Sequence, residues 1–343
     1  MVENLHLPAH LAVERVADSD RAMLFAVAEA IDEAVAGWLA RTGGDHLIVT
    51  LASADFEAGL LVMIRSLRAV SDVPVLVLKL GSWRFEHEAS GVASIEVPPL
   101  FRPGSAVRPD LPHLAATLSK LWAFSITTPR RVAHIDADCL ILRAIDGLLE
   151  GEGFAAAPDL LIHYKLRAFN AGVFSFTPSA ALRERLLARL PELSIADGDQ
   201  SVLNEFFDEW RQLPLALNFL RSQALVRALA QDRNLRILHF TPRKPWASGP
   251  MDPSDHALAP LEDLWAARLS DAEYREVKRR WQEDVDAVER NLTAWASRSA
   301  ALYRDQISEG LTQTRRRLRL GLVGLGLLSA VQTLVLSWLI LRG

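Results

Sequence analysis

The chain has 343 residues, half of them hydrophobic and 23% charged, with a formal net charge of −4. That length exceeds one small core and fits a large domain with additions, and the mild acidity gives no reason to expect a nucleic-acid surface. The single cysteine, Cys139, excludes an internal disulfide framework and fits a reducing compartment.

The opening, MVENLHLPAH, has neither a basic start nor a continuous apolar core, so no secretory signal is expected. From Ser19 to Ala40, the residues Leu24, Val27, Ile31, Val35 and Trp38 recur at helical spacing. Asp18 or Ser19 is the expected cap, and Gly43-Gly44 stops the run. This predicts an added amphipathic helix, lying on the domain or offered to a partner. An alternating pattern then begins. Strands are predicted at His46 to Leu51, Val73 to Lys79, Ala93 to Val97, Gly172 to Thr177 and Leu235 to Phe240. Helices are predicted at Glu57 to Ala69, His113 to Ile126, Ser179 to Leu190, Gln200 to Trp210 and Ser222 to Ala230. Strands alternating with helices imply an α/β domain with a mainly parallel sheet, its ligands beyond the strands' carboxyl ends. No glycine-rich dinucleotide fingerprint or phosphate loop is present, so any nucleotide needs another device to hold its phosphates.

The stretch RVAHIDADCLIL, Arg131 to Leu142, sets Asp136 and Asp138 between two apolar runs. On an extended chain residues i and i+2 point the same way, so both carboxylates leave the strand end together and can grip one hard divalent cation. The Asp-x-Asp pattern recurs at Asp18/Asp20, Asp197/Asp199 and Asp284/Asp286, so only its strand-to-strand setting distinguishes this pair from a solvated loop. Cys139, inside the apolar run, reads as a buried structural thiol.

Beyond Ala267, the residues Tyr274, Val277, Trp281, Val285, Val288, Leu292, Trp295 and Leu302 recur every three to four positions. A long amphipathic helix is predicted, packed along its own domain or paired as a coiled-coil homodimer. Leu320 to Leu341 then offers 22 residues without a charge, spanning roughly 33 Å as a helix and long enough to cross a bilayer. Arg315, Arg316, Arg317 and Arg319 precede it and only Arg342 follows. The positive-inside bias therefore expects a single-pass C-terminal anchor with the main domain on the cytoplasmic face of the membrane; a buried core helix is the alternative.

Five blocks in order resemble glycosyltransferase family 8, the glycogenin-like retaining enzymes. They are VTLASADFEAGLLVMIRSL from Val49, TLSKLWAFSITTPRRVAHIDADCLILRAIDGLLE from Thr117, FAAAPD with FNAGVFSFTPS from Phe154 and Phe169, DGDQSVLNEFFDEW from Asp197, and ILHFTPRKPW from Ile237. The resemblance, over roughly Leu47 to Ala247, implies a single nucleotide-sugar-binding domain of GT-A type. It implies Mn²⁺ (or Mg²⁺) on Asp136, Asp138 and His239, with Ala137 between the acids, facing the donor diphosphate. Lys244 corresponds to the family's diphosphate-contacting lysine. Thr50 and Leu51 fall at the uridine pocket, where Phe56 stands for the family's stacking tyrosine with one residue fewer before it. Lys120 and Arg108 resemble donor-contacting residues, although the spacing between them is longer here. Asp159, Asn170 and Ala171 with the Asp199-Gln200 pair would form the sugar site. Asp199 or Gln200 would act as nucleophile or stabilise positive charge on the sugar. The segment Leu160 to Ala168 is longer than the family's, as an acceptor rim or as a surface loop. Glycogenin-type members glucosylate their own tyrosine between the Asp-Gln and His-Phe blocks; Asn218 to Arg236 has none, so self-priming by that route is not expected and the acceptor is something else.

These readings give an N-terminal helical extension (1–45), a catalytic domain (46–268), a helical stalk (269–318) and a tail anchor (319–343). The expected activity is metal-dependent, retaining hexosyl transfer from a UDP-sugar to a lipid-linked or glycan acceptor. A sugar-nucleotide-binding membrane scaffold and a sugar-phosphate nucleotidyltransferase are the rivals.

Overall fold

The computed structural model describes residues 2–85, 87, 90–101, 114–159, 168–196, 198–222, 234–246, 259–279, 282 and 290. Contacts divide the chain into two units, Met1–Lys278 and Arg279–Gly343; of the second, only residues 279, 282 and 290 are described. Arg108, the predicted helix 222–230 except Ser222, and the apolar stretch 320–341 lie outside the described residues, as does all of the 160–168 segment except Ala168. Among the described residues, no helix is long and apolar enough to cross a membrane.

In chain order the strands are β1 (Glu3–Leu5), β2 (Val16–Ala17), β3 (His46–Ala52), β4 (Val75–Leu80), β5 (Val92–Val97), β6 (Leu100–Phe101) and β7 (Arg131–Ile135), then β8 (Cys139–Ile141), β9 (Ala155–Pro158), β10 (Phe169–Phe176), β11 (Arg211–Gln212), β12 (Phe219–Leu220) and β13 (Ile237–His239). The helices are α1 (Arg21–Thr42), α2 (Glu57–Arg68), α3 (Leu114–Thr117), α4 (Asp146–Leu149), α5 (Ala180–Arg189), α6 (Asp199–Phe206) and α7 (Ala259–Ala266). The main sheet has the order β1-β5-β4-β3-β7-β10-β9-β11. Its pairs are parallel from β1 to β7 and at β9/β11, while β10 runs antiparallel to β7 and β9.

Alternation along the strands buries both faces of this sheet. On β3, Leu47 and Val49 join the cluster that holds Leu24, Val27, Ile31, Val35 and Trp38 of α1. Ile48 and Ala52 face the other way, into the cluster of Leu60, Met63, Ile64 and Leu67 of α2. Each of Leu24, Val27, Ile31 and Val35 is wholly buried, a contribution of about 1.5–3 kcal/mol apiece as an upper estimate. The N-terminal residues are thus part of the core, and β1 extends the sheet beside β5. The cap of α1 is Asp20, not Asp18 or Ser19. Its carboxylate accepts from Met23 N at 3.1 Å, which places it three residues ahead of that amide, as an N-cap must be.

Two predicted helices are shortened. The 113–126 stretch forms α3 and then a 3-10 helix, Leu118–Ser125, in which every residue is buried. A segment with no solvated face winds more tightly to satisfy contacts on all sides, Ser119 Oγ accepting from Leu100 N at 3.0 Å and Trp122 Nε1 donating to Pro98 O at 2.9 Å. Helix α6 stops at Phe206, and Trp210 leaves it to pack edge-on against Phe169 at 5.2 Å. Of the amphipathic C-terminal pattern, residues 271–279 are helical. Glu273 accepts from both Arg65 Nη atoms on α2, at 2.7 and 2.8 Å, and Val277 packs beside the cluster of Leu238, Phe240 and Trp265.

Candidate functional site

The acidic pair occupies a tight turn rather than an extended strand. Cys139 N bonds Asp136 O at 3.1 Å, and the chain leaves the main sheet at β7 to enter a second, three-stranded sheet of order β12-β13-β8. Both carboxylates nevertheless approach His239, because β13 pairs antiparallel with β8 and sets His239 opposite Cys139. His239 Nε2 lies 3.2 Å from Asp138 Oδ1 and 3.8 Å from Asp136 Oδ2. Gly172 makes room for the ring. A Cβ there would fall 2.1 Å from His239 Cε1 and 2.5 Å from Nδ1. Gly172→Ala is expected to cost about 1–3 kcal/mol through this overpacking, read as a lowered urea midpoint; unchanged stability would mean that the ring moves aside freely.

The antiparallel course of β10 matters equally. Pairing Val173 with Ile135 brings the start of β10 to the carboxyl end of β7. Asn170 and Ala171 thereby join the acidic turn, and Asp136 N donates to Gly172 O at 2.8 Å. The first residue of α6, Asp199, arrives from the other side.

Lys120 ties these parts together. Its ammonium, 4% exposed, meets Asp136 Oδ1 and Asp199 Oδ2, each at 2.8 Å, and donates to Ala171 O at 3.1 Å. Burial opposes its charge, but the two carboxylates outweigh burial and hold it above the ordinary lysine range. With three donors and three acceptors, Lys120 is a buried strut between two acids. His134 adds a further contact to Asp136 Oδ1, at 2.9 Å; burial lowers the pKa of its ring. Burial would raise the pKa of Asp136, yet Lys120, His134 and His239 together hold it below the usual carboxylate range. Asp138 is likewise held low against burial, chiefly by His239 and Lys244.

Lys244 reaches back from the end of the His-Phe block to Asp138 Oδ2 and donates to Phe240 O at 2.9 Å. It also lies 5.9 Å from the centre of the Phe56 ring, and Phe56 packs edge-on against Trp246 at 5.6 Å. Trp246 Nε1 donates to Asp55 O at 3.0 Å, and a Cβ on Gly59 would fall 2.2 Å from the Trp246 ring and 2.7 Å from Ala137 O. Phe56 is thus drawn to the cluster by Trp246, whose role the sequence reading missed. Thr50 is wholly buried, its Oγ1 without a hydrogen bond. Leu51 packs on the α1-side core rather than into an open pocket, because its place on β3 is in phase with Leu47 and Val49.

A line of amides runs from the sugar-site candidates. Gln200 Oε1 accepts from Asn170 Nδ2 at 3.1 Å and Ala171 N at 3.2 Å, and Gln200 Nε2 donates to Asp159 Oδ2 at 3.1 Å. Asp159, Asn170, Ala171, Asp199 and Gln200 are therefore brought together with the acids. Asn218, which no motif pointed to, continues the line to His239.

Two carboxylates and an imidazole suit a divalent oxygen-preferring ion, and Asp138 Oδ1, buried and without a hydrogen bond, is the ligand atom such an ion would satisfy. Cys139 also comes near Asp138 and His239, but its side chain belongs to the apolar core with Ile135, Ala137 and Ile141. Burial, then the charges of Asp138 and Asp136, push its thiol well above the ordinary range. The donor set thus suits a divalent cation.

No family model matches the sequence. Over 147 residues the chain is 37% identical to glycogenin-1 of Mus musculus, a match covering 39% of this chain and 43% of that protein. Human glycogenin-1 is 35% identical over a similar span, 39% of this chain and 41% of that protein. UDP-glucuronate:xylan alpha-glucuronosyltransferase 1 of Arabidopsis thaliana is 31% identical over 140 residues, 37% of this chain and 20% of that protein. The chain thus matches less than half the length of these curated relatives. Among solved structures, the bifunctional glycosyltransferase WbbM superposes with a TM-score of 0.54 at 14% identity, covering 70% of this chain and 52% of that one. An active-site mutant of LgtC superposes with a TM-score of 0.51 at 17% identity, covering 67% and 99%. These two establish the α/β fold of GT-A type and nothing beyond it. By sequence the chain is thus similar to the glycogenins over 147 residues, and its fold is the α/β fold of glycosyltransferases of GT-A type.

Proposed function

We propose that this chain transfers a hexose from a UDP-sugar, with retention of anomeric configuration, to a membrane-associated or glycan acceptor. The observation that carries the reading is the approach of Asp138 and Asp136 to His239 Nε2, at 3.2 and 3.8 Å, beside Lys244. A bound Mn²⁺ (or Mg²⁺) would neutralise the departing diphosphate as Lewis acid and template. Lys244, at the open side of the site with 21% of its side chain exposed, would leave Asp138 to meet the diphosphate, offsetting charge as the bond to the sugar breaks. Phe56 would stack on the base, since stacking needs only a ring face. Asp159, Asn170 and Gln200 offer the sugar hydroxyls fixed donors and acceptors. The Arabidopsis relative, named for a UDP-glucuronate donor, supports a UDP-sugar here.

Asp199 is ion-paired to Lys120 and only 5% exposed, a setting that favours its role in stabilising positive charge on the sugar over direct attack. The hypothesis is a same-face displacement: the acceptor oxygen bonds to the anomeric carbon, the sugar–phosphate bond breaks, and the leaving phosphate takes the acceptor's proton. A trapped glycosyl adduct on Asp199 would count against it. The apolar run at 320–341 and the arginines before it support an acceptor at a membrane surface. A carbonate wash that strips the chain from membranes would remove that part of the proposal alone.

The decisive assay incubates the full chain, in detergent, with a panel of UDP-sugars and Mn²⁺. Free sugar with UDP, lost on chelation, is the expected result. Pyrophosphate release would point to nucleotidyl transfer, and no turnover on any donor would point to a binding scaffold.

A further inference from the structure

The tautomer of His239 follows from two hydrogen bonds that begin at a backbone amide. Gly172 N–H can only donate, and it bonds Asn170 Oδ1 at 2.9 Å. That atom is therefore the carbonyl oxygen, and the Asn218 atom facing it, at 2.9 Å, is the Nδ2 amide nitrogen. The other end of the Asn218 amide is then its oxygen, which lies 3.0 Å from His239 Nδ1 and can only accept. The ring proton sits on Nδ1. In the neutral imidazole Nε2 keeps its lone pair, aimed at Asp138 Oδ1 and Asp136 Oδ2. With Nδ1 bonded to Asn218, Nε2 is the ring atom left to meet a cation held with Asp138 Oδ1 and Asp136 Oδ2.

We propose that Asn218 is a positioning residue that locks His239 in the Nδ1–H form and so makes the Asp136–Asp138–His239 cluster a cation site rather than a hydrogen-bonded one. The inference rests on the cation-dependent reading above. Asn218 is 1% exposed, and its own orientation is set by Asn170. A partner on the far nitrogen of a ligating histidine fixes the ring and raises its basicity, and loss of such a partner costs about 10–100-fold in metal affinity.

The test uses the full chain in detergent, with Mn²⁺ alone as the probe and free Mn²⁺ read by electron paramagnetic resonance. Asn218→Leu, which offers no acceptor, is expected to weaken Mn²⁺ binding about 10–100-fold. Asn218→Asp, which still accepts from Nδ1, is expected to bind far closer to wild type. Long-range proton–nitrogen spectra of the metal-free wild type at mildly alkaline pH are expected to show His239 protonated on Nδ1. Wild-type affinity in Asn218→Leu, equal losses in both variants, or a proton on Nε2 in the wild type would each overturn the role given to Asn218. If Asn218→Leu fails to fold, the wild-type tautomer decides. A wild type that carries the Nδ1 proton but binds no Mn²⁺ would overturn the cation-dependent reading instead.

Discussion

Asp138→Asn is expected to lower metal-dependent turnover of a UDP-sugar by about 10³-fold or more while the protein still folds. A metal clamp on a leaving diphosphate contributes several kcal/mol, and each 1.36 kcal/mol is a factor of ten in rate. Asn keeps the volume of Asp in a site that is 4% exposed, so packing is preserved. The substitution removes a negative charge from the partners His239 and Lys244. Lys244 can turn its ammonium to solvent, so the charge left behind is not trapped, and the stability cost stays well below that of breaking a closed pair. Turnover and thermal unfolding measured on the same preparation separate the two effects. Unchanged turnover would refute the metal assignment.

Lys120→Met is the converse case, with its larger effect on stability. Here the cation is enclosed, and removing it leaves Asp136 and Asp199 facing each other without the charge both now contact at 2.8 Å. Losing one partner of a buried pair costs about 3–5 kcal/mol, or roughly 6–20 °C in unfolding temperature for a domain near this size. The pH dependence carries its own sign. In the wild type the Asp136 pKa is lowered, so its ion pairs contribute stability above the ordinary carboxylate pKa, near 4, that is lost as pH falls further. In Lys120→Met the buried carboxylates shift the other way, taking up protons more readily when folded. The deficit relative to wild type should therefore shrink on acidification. Calorimetry from neutral pH downward checks this, and a pH-independent deficit would mean that Lys120 acts by packing alone.

Local pattern alone determined much of this protein. Apolar runs at β3, β4, β5 and β7, and helical spacing in α1 and α2, were legible because period two and period 3.6 are written in neighbouring residues. The acidic pair, the His-Phe block and Lys244 were legible as motifs. Their meeting point was not. It depends on β10 running antiparallel to β7, which carries Asn170 and Ala171 to the acids, and on the turn at Asp136-Ala137-Asp138 that passes the chain from one sheet to the other. Lys120 looked like a residue for the donor; only packing revealed two acids around it, because no spacing in the chain records which charges burial forces together. Asn218 was invisible for the same reason. Its importance lies in one oxygen facing one ring nitrogen from 21 residues away, a relation set by parallel β12/β13 pairing and by nothing in the residues beside it.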